Sequence, residues 1–278
     1  MRDDKMKTEI IVISDNISGN GLAGEWGLCL LIKYNDKKIL VDAGASDLFL
    51  ENLKKSGERV EEIDYAVLSH AHYDHANGFP SFLKNNSTAG LYVRDSVGPD
   101  CYFKKLVFRK YIGIPRKMLD DNSDRIVRVS GNYELTKGVY LIPHKENDLS
   151  KIGKREMMYR RTPGGWCSDD FSHEQSVVVE TEKGLLIINS CSHGGAANIL
   201  TDVKSVFPDK KIYGYIGGLH LFNKSKIVIQ DAANEFQKAD LQYICTGHCT
   251  KNRAYNILKE KLGDKLTQFH VGLHIKIE

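Results

Sequence analysis

Short apolar runs rich in β-branched residues recur along the whole chain. Most are four to seven residues long and are bounded by Gly, Asp, Asn or Ser, a pattern typical of strands. The pattern predicts strands at 10–13, 28–34, 38–41, 65–68, 91–93, 126–129, 139–142, 177–180, 185–188, 212–216, 243–245 and 273–277.

Apolar residues at helical spacing are rarer, and they predict helices at 46–56, 195–206, 227–239 and 251–262. Both halves of the chain are rich in strands, and the second half alternates strand and helix after an opening hairpin. Two strand-rich halves with helices on the surface predict an α/β sandwich of two sheets. We expect one domain over residues 1–278.

Two segments, 98–125 and 145–170, lack clear periodicity and are rich in basic and aromatic residues. We interpret them as insertions near the functional site. Their cations either bind an anionic substrate or form a solvated face; they are Lys104, Lys105, Arg109, Lys110, Arg116, Arg155, Arg160 and Arg161. Tyr102, Phe103 and Trp166 are candidates for stacking on a planar ring.

Composition excludes several classes of protein. The 39 Lys and Arg residues nearly balance the 36 Asp and Glu residues and are scattered, so charge gives no nucleic-acid footprint. No apolar run approaches the roughly 18 residues of a membrane span, and the charged first residues do not resemble a signal peptide. We therefore expect a cytoplasmic protein whose six cysteines are thiols or metal ligands, without predicting an oligomeric state.

The run Ser69-His70-Ala71-His72-Tyr73-Asp74-His75 is the sharpest chemical feature of the sequence. It follows a predicted strand, and in an extended segment His70 and His72 share a face. Imidazole and carboxylate are common zinc ligands, so the run predicts a metal site built by His70, His72, Asp74 and His75. A solvated polar loop would not require four such groups in this order.

Further candidates follow later predicted strands. Cys191 and His193 follow 185–188, and Cys191 is either a thiolate ligand or a small buried residue. His220 follows Gly217 and Gly218, whose missing side chains would let the backbone approach a ligand; it is a candidate general acid, with a structural role as the alternative. His248 is a candidate metal ligand.

The pair Cys245 and Cys249 lacks the second pair of a zinc ribbon, so these cysteines are predicted to be ordinary thiols.

The His-x-His-x-Asp-His run resembles the signature of the metallo-β-lactamase superfamily, and the likeness extends over about 10–277. Within it the chain resembles the type II metal-dependent hydrolases, similar to a dihydropterin ribofuranosyl-aminobenzene phosphate synthase. The strings that carry this likeness are Leu40-Val41-Asp42-Ala43-Gly44, Glu25-Trp26-Gly27-Leu28, Cys191-Ser192-His193-Gly194, Gly217-Gly218-Leu219-His220 and Thr246-Gly247-His248-Cys249-Thr250.

The resemblance implies a four-layer αββα sandwich with two divalent metal ions at one edge of the sheets, most often zinc and sometimes iron or manganese. One ion would take His70, His72 and a third histidine, and the other would take Asp74, His75 and His248. Asp42 would stand behind the ligands.

For the third histidine, His173 and His193 compete, and we favour His193 because it follows an apolar strand and opens a predicted helix. Where the family usually places a bridging aspartate, this chain has Cys191 and His193 instead.

The implied activity is hydrolysis of an ester or phosphoester-type small molecule by a metal-activated hydroxide, with Asp74 and His220 as catalytic residues and an anionic, phosphate-bearing substrate. One alternative is condensation of a pterin diphosphate with an aminobenzene ribosyl phosphate, releasing pyrophosphate. A second alternative is a di-iron redox protein, which the missing carboxylate bridge disfavours.

Overall fold

The predicted apolar runs form strands that pair into two large sheets. The computed structural model describes residues 8–145 and 148–277, so the charged residues 1–7, residues 146–147 of the second predicted insertion and residue 278 lie outside the described residues. The first sheet has the order β18-β1-β2-β3-β4-β5-β8. Its strands are β1 (Thr8–Ser14), β2 (Cys29–Tyr34), β3 (Lys37–Val41), β4 (Tyr65–Val67), β5 (Gly90–Arg94), β8 (Ile126–Val129) and β18 (His274–Ile277).

The second sheet has the order β17-β16-β15-β14-β13-β10-β9. Its strands are β9 (Tyr133–Thr136), β10 (Val139–Pro143), β13 (Gln175–Thr181), β14 (Gly184–Ile188), β15 (Ile212–Ile216), β16 (Tyr243–Thr246) and β17 (Leu266–Gln268). In each sheet, neighbouring strands run parallel where the chain alternates strand and helix: β3, β4 and β5 in the first, and β14, β15 and β16 in the second. Their carboxyl ends therefore lie along one edge of each sheet.

Helices cover the outer faces of both sheets. The α-helices are α1 (Leu48–Lys55), α2 (Tyr73–Ala76), α3 (Phe79–Asn85), α4 (Met118–Asp121), α5 (Leu149–Arg155), α6 (Ala196–Val206), α7 (Lys226–Lys238) and α8 (Lys251–Leu262). Short 3₁₀ helices span Val60–Glu62, His248–Thr250 and Gly263–Lys265. No helix among the described residues is long and apolar enough to span a membrane.

Alternation of side chains along the strands creates the layers. In β1, Ile11 and Ile13 pack with Phe49 of α1, whereas Ile10 and Val12 face the second sheet. The second sheet is divided in the same way, since alternate residues of β14 join the core between the sheets and the core beneath α6, α7 and α8. Because side chains two apart share a face, one strand serves two cores. Three cores separate four layers, which confirms the predicted αββα sandwich.

The two predicted insertions pair with each other. A four-stranded antiparallel sheet has the order β12-β11-β6-β7, and its strands are β6 (Cys101–Lys105), β7 (Phe108–Tyr111), β11 (Met158–Thr162) and β12 (Gly165–Ser168). We call it the insert sheet. The two residues that follow β7 contact the candidate metal run: His72 pairs with Gly113, and the Tyr73 amide donates to the Ile112 carbonyl at 2.9 Å.

All of the predicted strands and helices are present, with small shifts of their ends. Sequence pattern missed the insert sheet, the edge strands β9 and β17, and the short helices α2, α3, α4 and α5. These elements lack a long apolar repeat, because several are exposed or only one turn long.

Candidate metal centre

The predicted site residues converge from the carboxyl ends of five strands. Asp42 follows β3, the histidine run follows β4, and Cys191, His220 and His248 follow β14, β15 and β16. The residues of the centre are buried in the crevice between the two sheets. Strand ends offer loops whose side chains are free of the sheet's own hydrogen bonding, so they are a usual place for sites in α/β folds.

Asp42 is the hydrogen-bond hub behind the histidine run. Its Oδ2 accepts from His75 Nδ1 at 2.7 Å and from the Ser69 hydroxyl at 2.7 Å, while Oδ1 accepts from the Ser69 amide at 2.7 Å. Because the Ser69 hydroxyl donates to Asp42, it accepts from His70 Nδ1, which lies 2.8 Å away. One carboxylate thus assigns the Nδ1–H tautomer to both histidines and leaves their Nε2 lone pairs facing the crevice.

One donor group contains His70, His72 and His193. The His72 ring lies 4.6 Å from the ring of His70 and 4.7 Å from the ring of His193, centroid to centroid. Ligand atoms of His70, Cys191 and His193 lie within 4.8 Å of one another. The His193 ring is held by stacking on Phe171, with centroids 4.8 Å apart and planes 6° apart. Stacking fixes the orientation of the His193 ring and leaves both of its nitrogens available to bind a metal ion.

A second donor group contains Asp74, His75 and His248. His75 Nε2 lies 3.2 Å from His248 Nε2, and Asp74 Oδ2 lies 3.6 Å from that His248 nitrogen. His248 Nδ1 faces Asn16 Oδ1 at 3.3 Å, so its lone pair, like that of His75, is on Nε2. Two lone pairs this close repel each other unless a cation or a proton lies between them.

Cys191 joins the two groups. Its Sγ lies 3.3 Å from His75 Nε2, and Cys191 belongs both to the group with His70 and His193 and to the group with His75 and His248. It occupies the strand-end position between the two donor groups. Its burial is nearly complete, and burial raises the pKa of its thiol far above the usual range unless a cation is bound nearby.

The buried ring nitrogens test whether this donor set fits a metal. Nε2 of His70 and His72, and both ring nitrogens of His193 and His220, have no hydrogen-bond partner among the described residues. Buried polar atoms are nearly always satisfied. Burial also lowers the pKa of His70 and His193 well below the ordinary histidine value and that of His72 to about 3, which keeps these rings neutral. Neutral imidazoles, a carboxylate and a thiol are the donors that zinc prefers, so the residues fit divalent metal.

His173, the competing third histidine, also lies near the run: its ligand atom and those of His72, Cys101 and Asp169 are within 4.8 Å of one another. Its Nδ1 accepts from the Ala71 amide at 3.2 Å, and its Nε2 donates to Asp169 Oδ2 at 3.2 Å. Both nitrogens are used, so His173 holds the backbone of the run between His70 and His72. Its geometry favours His193 as the third histidine of the first group.

His220 and Cys249 complete the rim of the centre. The His220 ring lies 4.3 Å from the ring of His193, and the His220 amide donates to Cys249 Sγ at 3.2 Å. Ligand atoms of Cys191, His220 and Cys249 lie within 4.8 Å of one another. The two glycines before His220 serve packing: a Cβ on Gly217 would lie 1.7 Å from the Asn189 carbonyl oxygen, and one on Gly218 would lie 2.5 Å from Cys249 Sγ.

Sequence reasoning missed Cys249, which it grouped with Cys245 as an ordinary thiol. Cys245 is buried in the core between the sheets, but Cys249 faces the donor cluster. It also missed Ser69 and Asp169, which orient histidines. The adjacency of Ser69 to His70 and the four-residue spacing of Asp169 and His173 were the available signals.

Several residues of the centre have strained backbones. Asp42, Ser192, His220 and His248 have φ between 48° and 61°, in the left-handed region that non-glycine residues rarely adopt. Each costs roughly 1–3 kcal/mol, and such residues cluster at functional sites. These strained backbone conformations indicate that the positions of the clustered side chains, and not the preferences of the loops, determine the backbone at the centre.

Comparisons with known proteins agree with this architecture. The family model for the metallo-beta-lactamase superfamily matches residues 27–155, which include the histidine run. A solved structure described as a metal-dependent hydrolase of the beta-lactamase superfamily superposes with a TM-score of 0.82 and 27% identity, covering 98% of this chain and 99% of that chain. In its fold and in its histidine run, the chain is thus similar to proteins of the metallo-beta-lactamase superfamily.

Two relatives come from Methanocaldococcus jannaschii. One is a 7,8-dihydropterin-6-methyl-4-(beta-D-ribofuranosyl)-aminobenzene-5'-phosphate synthase, 27% identical over 267 residues, which are 90% of this chain and 89% of the relative. The other is an uncharacterized protein, 29% identical over 275 residues, which are 96% of this chain and all of the relative. The metallo-beta-lactamase resemblance predicted from the histidine run is thereby confirmed, including its likeness to the synthase.

Proposed function

We propose that this protein is a metal-dependent hydrolase of a phosphoester-type, anionic small molecule. The observation that carries the proposal is the pair of donor groups that share Cys191. The first would hold one divalent ion through His70, His72 and His193. The second would hold another through the residues Asp74, His75 and His248. Zinc fits the mixed nitrogen, oxygen and sulfur donors, with iron or manganese as alternatives.

Divalent ions held there would supply Lewis acidity and a hydroxide nucleophile at neutral pH. The protein's own residues orient the metal ligands and exclude bulk water. Asp42 fixes the tautomers of His70 and His75, and the buried walls keep bulk water from the donor cluster. His220, whose two ring nitrogens have no partner among the described residues, is the group available to hold or deliver a proton to a leaving oxygen.

Charge on the insert sheet supports an anionic substrate. Lys104, Arg109 and Arg161 lie 5.1 to 5.4 Å from the centre of the Trp166 ring. The residues that follow β7 of this sheet contact the histidine run, so this cationic surface would raise the local concentration of anions near the centre. Arg160 is not available for the same purpose, because Asp100 pairs with it at 2.9 Å.

The second candidate is condensation of a pterin diphosphate with an aminobenzene ribosyl phosphate. Likeness to the synthase over 90% of the chain favours it. The same centre would then assist departure of pyrophosphate.

Elemental analysis and assays test both candidates. Purified protein is expected to hold two divalent ions and to hydrolyse at least one member of a panel of phosphoesters, lactones and thioesters. His75→Ala should lose about one metal equivalent and most activity. The matched control, His274→Ala, should retain both, because the His274 side chain is exposed and among the described residues contacts only Glu9. Unchanged metal content in His75→Ala would reject the site assignment.

The same preparation is incubated with the two condensation substrates. Joint appearance of pyrophosphate and the coupled product would favour the synthase, and hydrolysis without coupling would favour the hydrolase.

A further inference from the structure

A cleft of about 530 Å³ opens beside His248 and contains aromatic and cationic side chains. Trp26, Phe222, Lys251 and Arg253 are among its lining residues, and none of the lining residues is acidic. We propose that this cleft binds a phosphate-bearing planar aromatic group of the substrate. The inference rests on the proposed function, because it names the substrate class of the same metal centre.

The two aromatic rings place the cleft at the edge of the donor cluster. The Trp26 ring lies 4.9 Å from the ring of His248, and the Phe222 ring lies 5.2 Å from the ring of His220. Trp26 is 37% exposed and Phe222 is 40% exposed, which is unusual for large apolar side chains that border a buried site. Their rings can therefore gain contact area from a bound planar group.

Lys251 supplies the charge between these rings. Its Nζ lies 4.8 Å from the centre of the Trp26 ring and 5.7 Å from the centre of the Phe222 ring. No carboxylate among the described residues forms an ion pair with Lys251. An ammonium held by aromatic faces alone is available to a phosphate, whose contact with it is stronger than the cation–π contacts.

The backbone at Lys251 also favours an anion. Lys251 has φ of 55°, in the left-handed region, and it begins the twelve-residue helix α8. The preceding Thr250 makes no side-chain hydrogen bond to the first turn, so it does not cap the first-turn amides of α8 beside the lysine. Helix N-termini favour anions for this reason. The Arg253 guanidinium, in contrast, already donates to the Lys224 carbonyl at 2.8 Å.

A larger cavity, of about 860 Å³, does not compete for this assignment. It lies between α6 and α7, and it includes Lys204, Lys238, Asp209, Glu235 and Asp240 among its lining residues, so its charges are mixed. None of the donor histidines lines it. The cleft beside His248, in contrast, joins positive charge with no carboxylate partner among the described residues, exposed rings and the donor cluster.

Binding of simple phosphates to the zinc-loaded protein tests the inference without requiring turnover. The probes are phenyl phosphate, glycerol phosphate and inorganic phosphate, measured by calorimetry. The wild type should bind phenyl phosphate about five- to tenfold more tightly than glycerol phosphate, because only phenyl phosphate can stack. Lys251→Met should weaken all three by about tenfold and preserve that ratio, since it removes a charge-assisted contact.

Trp26→Leu and Phe222→Leu should bring the phenyl-to-glycerol ratio close to one while inorganic phosphate binds as before. Lys238→Met is the matched control for Lys251, and zinc content measured for each variant shows that the centre is intact. If Trp166→Leu abolished the ratio and Trp26→Leu preserved it, the ring would lie on the insert sheet and the inference would be overturned. Equal binding of the three probes by the wild type would overturn it as well.

This experiment separates the two claims. The expected binding pattern without hydrolysis of any phosphoester would retain the cleft and reject the hydrolase, whereas hydrolysis without the pattern would reject only the cleft.

Discussion

Asp42 Oδ2 accepts a hydrogen bond from His75 Nδ1 at 2.7 Å, and neither side chain is exposed. The same oxygen accepts from Ser69, which in turn accepts from His70. Burial opposes a charge on His75, but the carboxylates of Asp42 and Asp74 outweigh it and raise the pKa of His75 to about 8, so in the metal-free protein at neutral pH a proton on His75 Nε2 takes the place of the cation. One aspartate therefore orients a histidine in each donor group, which makes it a sensitive point for metal affinity.

Asp42→Asn is expected to lower zinc affinity by about 10- to 100-fold, the usual cost of losing a group that orients metal ligands. Asparagine tolerates the positive φ of 61° at this position, so the fold should survive. Competition with a chromogenic chelator measures the affinity. Asp36→Asn, on an exposed turn, is the control, and equal affinities of the two variants would reject the role of Asp42.

His193→Ala and His173→Gln should separate ligation from positioning. We expect His193→Ala to lose about one metal equivalent with little change in melting temperature of the metal-free protein. His173→Gln should keep its metal but melt lower, because the buried Asp169 carboxylate loses the hydrogen bond from His173 Nε2, a loss that typically costs about 1–3 kcal/mol. Elemental analysis and thermal unfolding measure the two effects. The opposite pattern would make His173 the ligand.

Cobalt substitution tests sulfur ligation. Cobalt-loaded wild type should show a near-ultraviolet sulfur-to-cobalt charge-transfer band, and Cys191→Ser should abolish it. Cys249→Ser should retain the band, since Cys249 Sγ already accepts from the His220 amide. Cys245→Ser controls for loss of a buried thiol. A band lost in Cys249→Ser and kept in Cys191→Ser would exchange the roles of the two cysteines.

Metal-free protein should lose stability as pH falls below about 6.5. Burial lowers the pKa of His72 and of His248 to about 3, whereas in the unfolded chain both titrate near 6.5. The unfolded state therefore binds more protons between these values, and each histidine costs about 1.4 kcal/mol per pH unit of acidification in that window. Urea unfolding at pH 7.0, 6.0 and 5.0 measures the slope, and the double variant His72→Ala/His248→Ala should make it shallower, although the lowered pKa values of His70 and His193 still contribute. A metal-free stability independent of pH over this range would contradict the burial of neutral rings.

The sequence alone predicts the secondary-structure elements that depend on a local pattern of apolar residues. Alternating apolar residues and short β-branched runs specify the strands of both large sheets, because a strand's faces repeat every two residues. The four chemical groups from His70 to His75 lie within six residues, so their joint role also needs no tertiary information. The resemblance to the superfamily, which implies the αββα sandwich, also rests on short stretches of sequence, namely the histidine run and the five strings quoted with it.

Only the tertiary structure favours His193 over His173, because the preference depends on which ring nitrogens other residues occupy: Ala71 and Asp169 bind the ring of His173, and Phe171 stacks on the ring of His193. It also brought β6 to β11, strands more than fifty residues apart whose pairing no local period encodes. Cys249 reaches Cys191 and His220 for the same reason. Contacts between the ends of separate strands depend on how whole sheets pack, and that packing brings distant side chains together in one donor cluster.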